Sequence, residues 1–440
     1  MARTVLSGGT VLTMDPARPF LSDGTVVLDG TRIAWVGDTA DHLAQDDDQV
    51  VDAAHRVVIP GLVNAHYHVD LGKGAGESSN ETKPMWDLLF DDWYPFLGQL
   101  TEEEAYWATM ASYAESVRNG VTTVNDMYVL TPARARAAND LGLRAVLSSE
   151  IATPETGIDT VATNVEAFHA VNGGANGDGL ARVWLGVEWL PCATPELLTE
   201  VRAAATELGT GIHIHLNESM SEVDDALSRF GKRPTELAYE LGFLGPDVVA
   251  AHCVHLSDAE ITMMAETGTH ISHNPGSNAY LGNGIARMND FRAAGINVGM
   301  GTDAGFCSDL FEIMRWATYL HRATSRDVTA RKSAEALRMA TVGGSTALGQ
   351  DTGVIAAGKL ADLTLLDVDS VKFAMMDRTD AGLVEEFVVN HANGSDVATT
   401  IVNGEIVMRD RVLTTVDEAE ITEGVARSIR EANQRFFGGH

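Results

Sequence analysis

The first sixty residues cluster β-branched side chains between Gly and Asp breakers. This predicts short strands at Thr4–Leu6, Thr10–Met14, Thr25–Leu28 and Arg32–Val36. Pro60-Gly61 closes that section. Beyond it the pattern becomes strand, loop and helix, repeated. Core strands are read at Leu62–Ala65, Thr122–Asn125, Arg144–Leu147, Val183–Val187, Gly211–His215, Val248–His252, His270–Ser272 and Asn297–Gly301. Helix-like segments lie between them, such as Glu102–Asn119, Pro195–Leu208, Asp258–Thr267 and Asp309–Ala323. This alternation predicts an α/β fold, a (β/α)8 TIM barrel over residues 61–349, rather than an open doubly wound sheet. After Gly349 strands return at Asp362–Leu366, Asp396–Val402 and Glu405–Met408, with Asn403-Gly404 as a hairpin turn. Residues 1–60 and 350–440 are therefore expected to form one small β-sandwich domain from both termini, with a helix at the C-terminal end.

Composition narrows the partners. The chain has 440 residues, 62 acidic against 31 basic, and a formal net charge of -31. Such a surface repels phosphate backbones and anionic lipid, which argues against nucleic-acid and membrane partners. Cys192, Cys253 and Cys307 are too scattered for a disulfide framework or a Cys-x-x-Cys clasp, so a reduced cytoplasm is expected. No secretory signal or membrane-length apolar run is read. The sequons at Asn80 and Asn217 are then chance matches.

The chemistry-bearing residues fall at strand ends. In His66-Tyr67-His68 the two imidazoles are two residues apart, and so share one side of an extended chain. His213-Ile214-His215 ends the fifth strand, and His215 lies nearer the C-terminal mouth, where barrel sites form. His252 ends the sixth strand, and Asp303 follows the eighth. Histidine and carboxylate donors at one end of four strands suit one divalent metal, zinc or ferrous iron. Glu218, three residues after His215, is placed to act as general acid and base.

These words resemble a family. Pro60-Gly61-Leu62-Val63-Asn64-Ala65-His66-Tyr67-His68, Gly120-Val121-Thr122-Thr123, His213-Ile214-His215-Leu216-Asn217-Glu218, Ala251-His252-Cys253-Val254, Ser272-His273-Asn274-Pro275 and Gly301-Thr302-Asp303 are similar to the metal-dependent amidohydrolase superfamily. The likeness is to its aminohydrolase branch, which includes adenosylhomocysteine/methylthioadenosine deaminases and s-triazine hydrolases. Gly358-Lys359-Leu360-Ala361-Asp362-Leu363 and Val402-Asn403-Gly404 resemble that branch's small β domain. The resemblance implies that His66, His68, His215 and Asp303 bind one metal, zinc first and iron second. It implies that His252 sits beside the activated water and that Glu218 shuttles protons. The expected reaction is hydrolytic deamination of an N-heterocycle, with hydroxide attacking the amino-bearing ring carbon.

Departures from the family pattern bear on the substrate. Gly186-Val187-Glu188-Trp189-Leu190-Pro191 lacks the His that helps hold a nucleoside, Leu97 stands where a Glu is usual, and Ser148-Ser149-Glu150 lacks a ribose-binding Arg. A small base is therefore expected: an aminotriazine, pyrimidine, purine or pterin-like ring. An adenosine-type nucleoside, a dehalogenation or a ring-amide hydrolysis is the alternative. A scaffold without activity is disfavoured because every ligand position is filled. Glu188 is read either as a partner for a substrate N–H group or as a ligand for a second metal, and Trp86 and Trp189 as stacking platforms. The apolar stretch from Trp86 to Phe96 suits either a cover for the site or a homo-oligomer contact. Gly72-Lys73-Gly74-Ala75-Gly76 lacks the Walker spacing and reads as a loop.

Overall fold

The computed structural model describes residues 3–69, 83–173, 179–304 and 308–436. The Gly72–Gly76 stretch, Asn80 and Cys307 lie outside these residues. Eight parallel strands close on themselves in chain order: Leu62–His68, Val121–Met127, Arg144–Ser148, a fourth in two pieces (Ala181–Val183 and Leu185–Val187), Ile212–Leu216, Val248–His252, His270–His273 and Val298–Met300. Closure is made by Met300 against Asn64, extended by Asp303 against Tyr67. Leu62–His68 and Val121–Met127 are buried at every position, as strands covered on both faces must be.

The covering helices start and stop where their caps dictate. Thr101 and Glu104 form a capping box for Glu102–Arg118, and Ser257 and Glu260 form one for Asp258–Thr267. Thr194 caps Pro195–Leu208, which ends at Gly209 in the left-handed conformation.

A second, mostly antiparallel sheet of nine strands comes from both ends of the chain. Its order is Val412–Leu413, Glu405–Arg409, Val397–Val402, Leu363–Asp367, Arg56–Pro60, Thr4–Leu12, Phe20–Asp29 and Arg32–Asp38, with Gln49–Asp52 also paired to Thr4–Leu12. The sheet curls: Ile33 N donates to Lys359 O and Ala361 N donates to Thr31 O, so the edge strand meets the segment entering Leu363–Asp367. Leu6, Val26, Ile33, Leu363, Leu365 and Ile401 share the enclosed core. Asn403 and Gly404 both take positive φ (53° and 83°), the geometry of a tight hairpin turn. Thr4–Leu6 and Thr10–Met14 are not two strands, because the chain bulges at Gly9 and continues as one. Gln49–Asp52 carries almost no buried side chain, so no hydrophobic pattern announces it.

The two sheets are locked together. Arg144 on the third barrel strand makes a buried two-pronged contact with Asp362 (2.9 and 3.0 Å), whose Oδ1 also accepts Asn403 N. The helix Glu418–Phe436 packs on Glu102–Arg118, with Arg435 reaching Glu104 at 2.6 Å.

Candidate active site

His66 and His68 end the first barrel strand, His213 and His215 lie in the fifth, His252 ends the sixth, and Asp303 follows the eighth. All are buried at one mouth. His68 Nε2 stands 3.0 Å from His215 Nε2. Asp303 Oδ1 is 3.3 Å from His66 Nε2 and 3.5 Å from His68 Nε2. His252 Nε2 is 3.6 Å from Asp303 Oδ2. Tetrahedral ligands at roughly 2.1 Å from a metal stand about 3.4 Å apart, so these separations match the edges of one coordination shell. Among the described residues, His66, His215 and His252 form one group of potential ligand atoms within 4.8 Å, and His66, His68 and Asp303 another.

Hydrogen bonds set which ring nitrogen faces inward. His68 Nδ1 donates to Met127 O at 2.6 Å, and His215 Nδ1 donates to Glu188 O. Their Nε2 atoms therefore meet as two lone pairs unless positive charge lies between them. Burial drives the pKa values of His66, His215 and His252 below the ordinary histidine value. Burial also opposes a proton on His68, but Glu150, Asp303 and Glu188 outweigh it and push its pKa up to about 10. Burial likewise opposes charge on Asp303, yet His252, His66 and His68 hold it well below the usual carboxylate range. A cation at this point balances both groups. It also satisfies His66 Nε2, which has no hydrogen-bond partner among the described residues. The donor set thus fits a divalent metal.

The remaining candidates surround this cluster. Glu218 follows the fifth strand, and burial raises its pKa to about 7, with Asp303 and Glu188 adding and His215 opposing. Its Oε1 accepts Asn283 Nδ2 at 2.8 Å and lies 3.8 Å from His252 Nδ1. A carboxyl with this pKa can both accept and release a proton near neutral pH. His252 Nδ1 donates to Asn278 Oδ1 at 2.8 Å, leaving Nε2 toward Asp303. Ser277 Oγ donates to Asp303 Oδ2. His213 stands behind the cluster, its Nε2 2.9 Å from His66 Nδ1 and its Nδ1 3.3 Å from Ser148 Oγ.

Glu188 is buried at the end of the fourth strand and accepts Tyr94 Oη at 3.0 Å. Trp86 and Trp189 are brought to each other, with ring centroids 5.0 Å apart and planes tilted by 52°. Trp189 is buried and donates to Cys192 Sγ at 3.2 Å, while Trp86 is half-buried. Cys192 and Cys253 are free and buried. Asn217 is fully buried against Thr235 and Glu260, which removes its sequon from any surface. Sequence reasoning missed Tyr94, Ser277, Asn278, Asn283 and the inward role of Glu150. Each reaches the cluster from a helix or loop whose side-chain direction no local pattern records.

A model of the amidohydrolase family matches residues 57–407. The chain is 36% identical over 442 residues to a 5'-deoxyadenosine deaminase of Methanosarcina barkeri, covering 98% of each protein. It is 35% identical over 396 residues to a 5-methylthioadenosine/S-adenosylhomocysteine deaminase of Acetivibrio thermocellus, covering 89% of each. A zinc-bound adenosine deaminase structure from Xanthomonas campestris superimposes with a TM-score of 0.89 at 25% identity, over 98% of this chain and 99% of that one. The chain belongs to the amidohydrolase family. It is a hydrolase acting on C–N bonds other than peptide bonds.

Proposed function

We propose that this protein is a metal-dependent aminohydrolase that removes the exocyclic amino group of a small N-heterocycle as ammonia. The observation that carries the reading is the pair of ligand groups that share His66, one with His68 and Asp303 and one with His215 and His252, with Glu218 poised near neutrality beside them. In this reading residues 61–349 carry the chemistry and residues 1–60 and 350–440 support it, in the cytoplasm, where Cys192 and Cys253 stay reduced. A divalent cation held by the four ligands supplies the Lewis acidity that makes water nucleophilic near neutral pH. Zinc is the cation we propose, on the likeness to the zinc-bound deaminase, and ferrous iron suits the same donors. Asp303 and His252 Nε2 take the proton that water gives up. Glu218 delivers a proton to the ring nitrogen next to the attacked carbon. Asp303 returns a proton to the departing amine, the C–N bond breaks and ammonia leaves. Glu218, able to protonate a ring nitrogen, favours an amine over a halide as the leaving group.

A 5'-substituted adenosine is the second reading, supported by the names of the relatives. Against it, Leu97 is buried in the apolar core and Ser149 Oγ is engaged by Thr131 at 3.1 Å. Those positions offer nothing to sugar hydroxyls. Ammonia release should be measured across bases, aminotriazines, pterins and adenosine derivatives. Glu218→Gln should keep its metal and lose roughly 10²- to 10⁴-fold in turnover. An unchanged rate refutes the proton role, and a higher kcat/KM for 5'-deoxyadenosine than for every free base replaces the first reading by the second.

A further inference from the structure

Glu150 and Glu188 stand at the mouth of the third and fourth strands, only 2% and 7% exposed. Buried carboxylates beside histidine ligands commonly orient those histidines. That role is already filled here. Glu150 Oε1 is 3.7 Å from His68 Nδ1 and Glu188 Oε2 is 3.8 Å from His215 Nδ1, but both ring N–H groups are donated to backbone carbonyls, of Met127 and of Glu188 itself. Tyr94 Oη occupies Glu188 Oε1. Glu188 Oε2 and Glu150 Oε2 are buried without a hydrogen-bond partner among the described residues. No Lys or Arg among those residues pairs with either. Buried carboxyl oxygens left without a partner are unfavourable unless something donates to them.

Their positions are fixed. Asn164 Oδ1 accepts both Ser149 N and Gly186 N, and Glu188 N donates to Ile151 O. A Cβ on Gly186 would lie 1.8 Å from Ser149 O, so the two strand ends touch as closely as a backbone allows. Tyr94, with Cys192 and Trp189 behind it, forms the adjoining aromatic wall.

We propose that Glu150 and Glu188 form a recognition pair for a second, retained amino group of the substrate, whose two N–H groups each meet one of the unpartnered carboxyl oxygens, as in diamino- and triamino-substituted purines, pyrimidines and triazines. This rests on the aminohydrolase reading and names its substrate class. A ring-bound amino group presents its two N–H donors in one plane. A sugar diol donates from two hydroxyl groups as well, and the probes below separate the two. The amine that leaves points to the histidine cluster, and the retained amino group points to the acidic pair.

The test uses metal-loaded enzyme and two matched pairs of probes. 2,6-Diaminopurine and adenine differ only in the 2-amino group, and melamine and 2,4-diamino-1,3,5-triazine differ by one amino group. In the wild type, kcat/KM should favour the richer member at least tenfold, chiefly through KM. Glu150→Gln and Glu188→Gln should keep their full metal content and lose at least tenfold more for 2,6-diaminopurine than for adenine. Equal wild-type kcat/KM within both pairs overturns the proposal. So does an equal fall in kcat for both members, a loss of metal that marks Glu188 as a ligand, or a KM effect confined to 5'-deoxyadenosine. If no compound releases ammonia, the aminohydrolase reading itself fails. Calorimetric binding of 2,6-diaminopurine against purine then decides the pair: tighter binding that is lost in Glu188→Gln supports it, and equal binding overturns it.

Discussion

Arg134 offers the sharpest stability test of how the site is held. It has no exposed surface, and its guanidinium spends every donor. Nη1 reaches Asp126 Oδ2 at 2.9 Å and Asp126 O at 3.1 Å, and Nε reaches Val129 O at 3.1 Å. Nη2 reaches Tyr128 O, Thr131 Oγ1 at 2.9 Å and Ser148 O at 2.7 Å. These acceptors end the second and third barrel strands, next to Met127 O, which holds His68. Asp126 also accepts Tyr113 Oη at 2.6 Å and Val69 N at 3.2 Å, directly after the His66-Tyr67-His68 strand. Arg134→Met leaves the Asp126 carboxylate buried without its counter-charge, which costs about 3–5 kcal/mol. Carbonyls that lose their only donor add about 1–3 kcal/mol each. The total is a large share of a typical folding stability of about 5–15 kcal/mol. Urea unfolding followed by circular dichroism should show the loss as a lower midpoint at unchanged slope. Arg134→Met/Asp126→Asn should recover part of it, since the stranded charge is gone. Arg134→Lys should fall between, with charge kept and the planar fork lost. A loss below about 1 kcal/mol in Arg134→Met, or a double variant no more stable than the single, refutes the argument.

Two further outcomes follow from buried geometry. Burial holds the Glu222 carboxyl at about 8 against an ordinary 4.5, so the folded protein keeps a proton that the unfolded chain releases between those values. Stability therefore falls as pH rises across that window, and Glu222→Gln should gain on the wild type from about pH 4.5 to 8, by up to about 5 kcal/mol. Parallel stability–pH curves contradict this. A Cβ on Gly301 would lie 2.4 Å from Asn274 Oδ1 and 2.8 Å from His66 Cβ, so Gly301→Ala should cost about 1–3 kcal/mol of stability. Chelator competition should also show metal affinity at least tenfold weaker, and wild-type affinity would show that His66 tolerates the crowding.

The barrel was legible because eight strand-length segments alternate with helix-like ones along the chain. The ligand candidates stood out because they fall at strand ends, where a barrel presents side chains. Period-two alternation could not separate His213 from His215, since both face inward. Depth separates them: His213 lies one layer down, bonded to His66 and Ser148, and His215 faces His68. Tyr94 and Asn283 were not legible. They reach Glu188 and Glu218 across 94 and 65 residues, through segments whose orientation is set by tertiary packing. Glu150 read as the site of a missing Arg, whereas the fold places it as one half of an acidic pair. The bulged Thr4–Leu12 strand was split in the sequence by Gly8-Gly9, residues that mark a turn and a bulge equally well.

The central claim is that His66, His68, His215 and Asp303 hold one divalent metal on which the deaminase reaction depends. Metal analysis of purified protein before and after chelation, with ammonia release measured on the same samples, tests it most directly. The account predicts close to one equivalent of zinc or iron per chain, activity lost with the metal and restored with zinc, and no tight metal in His66→Ala/Asp303→Ala. Full ammonia release from metal-free protein contradicts it.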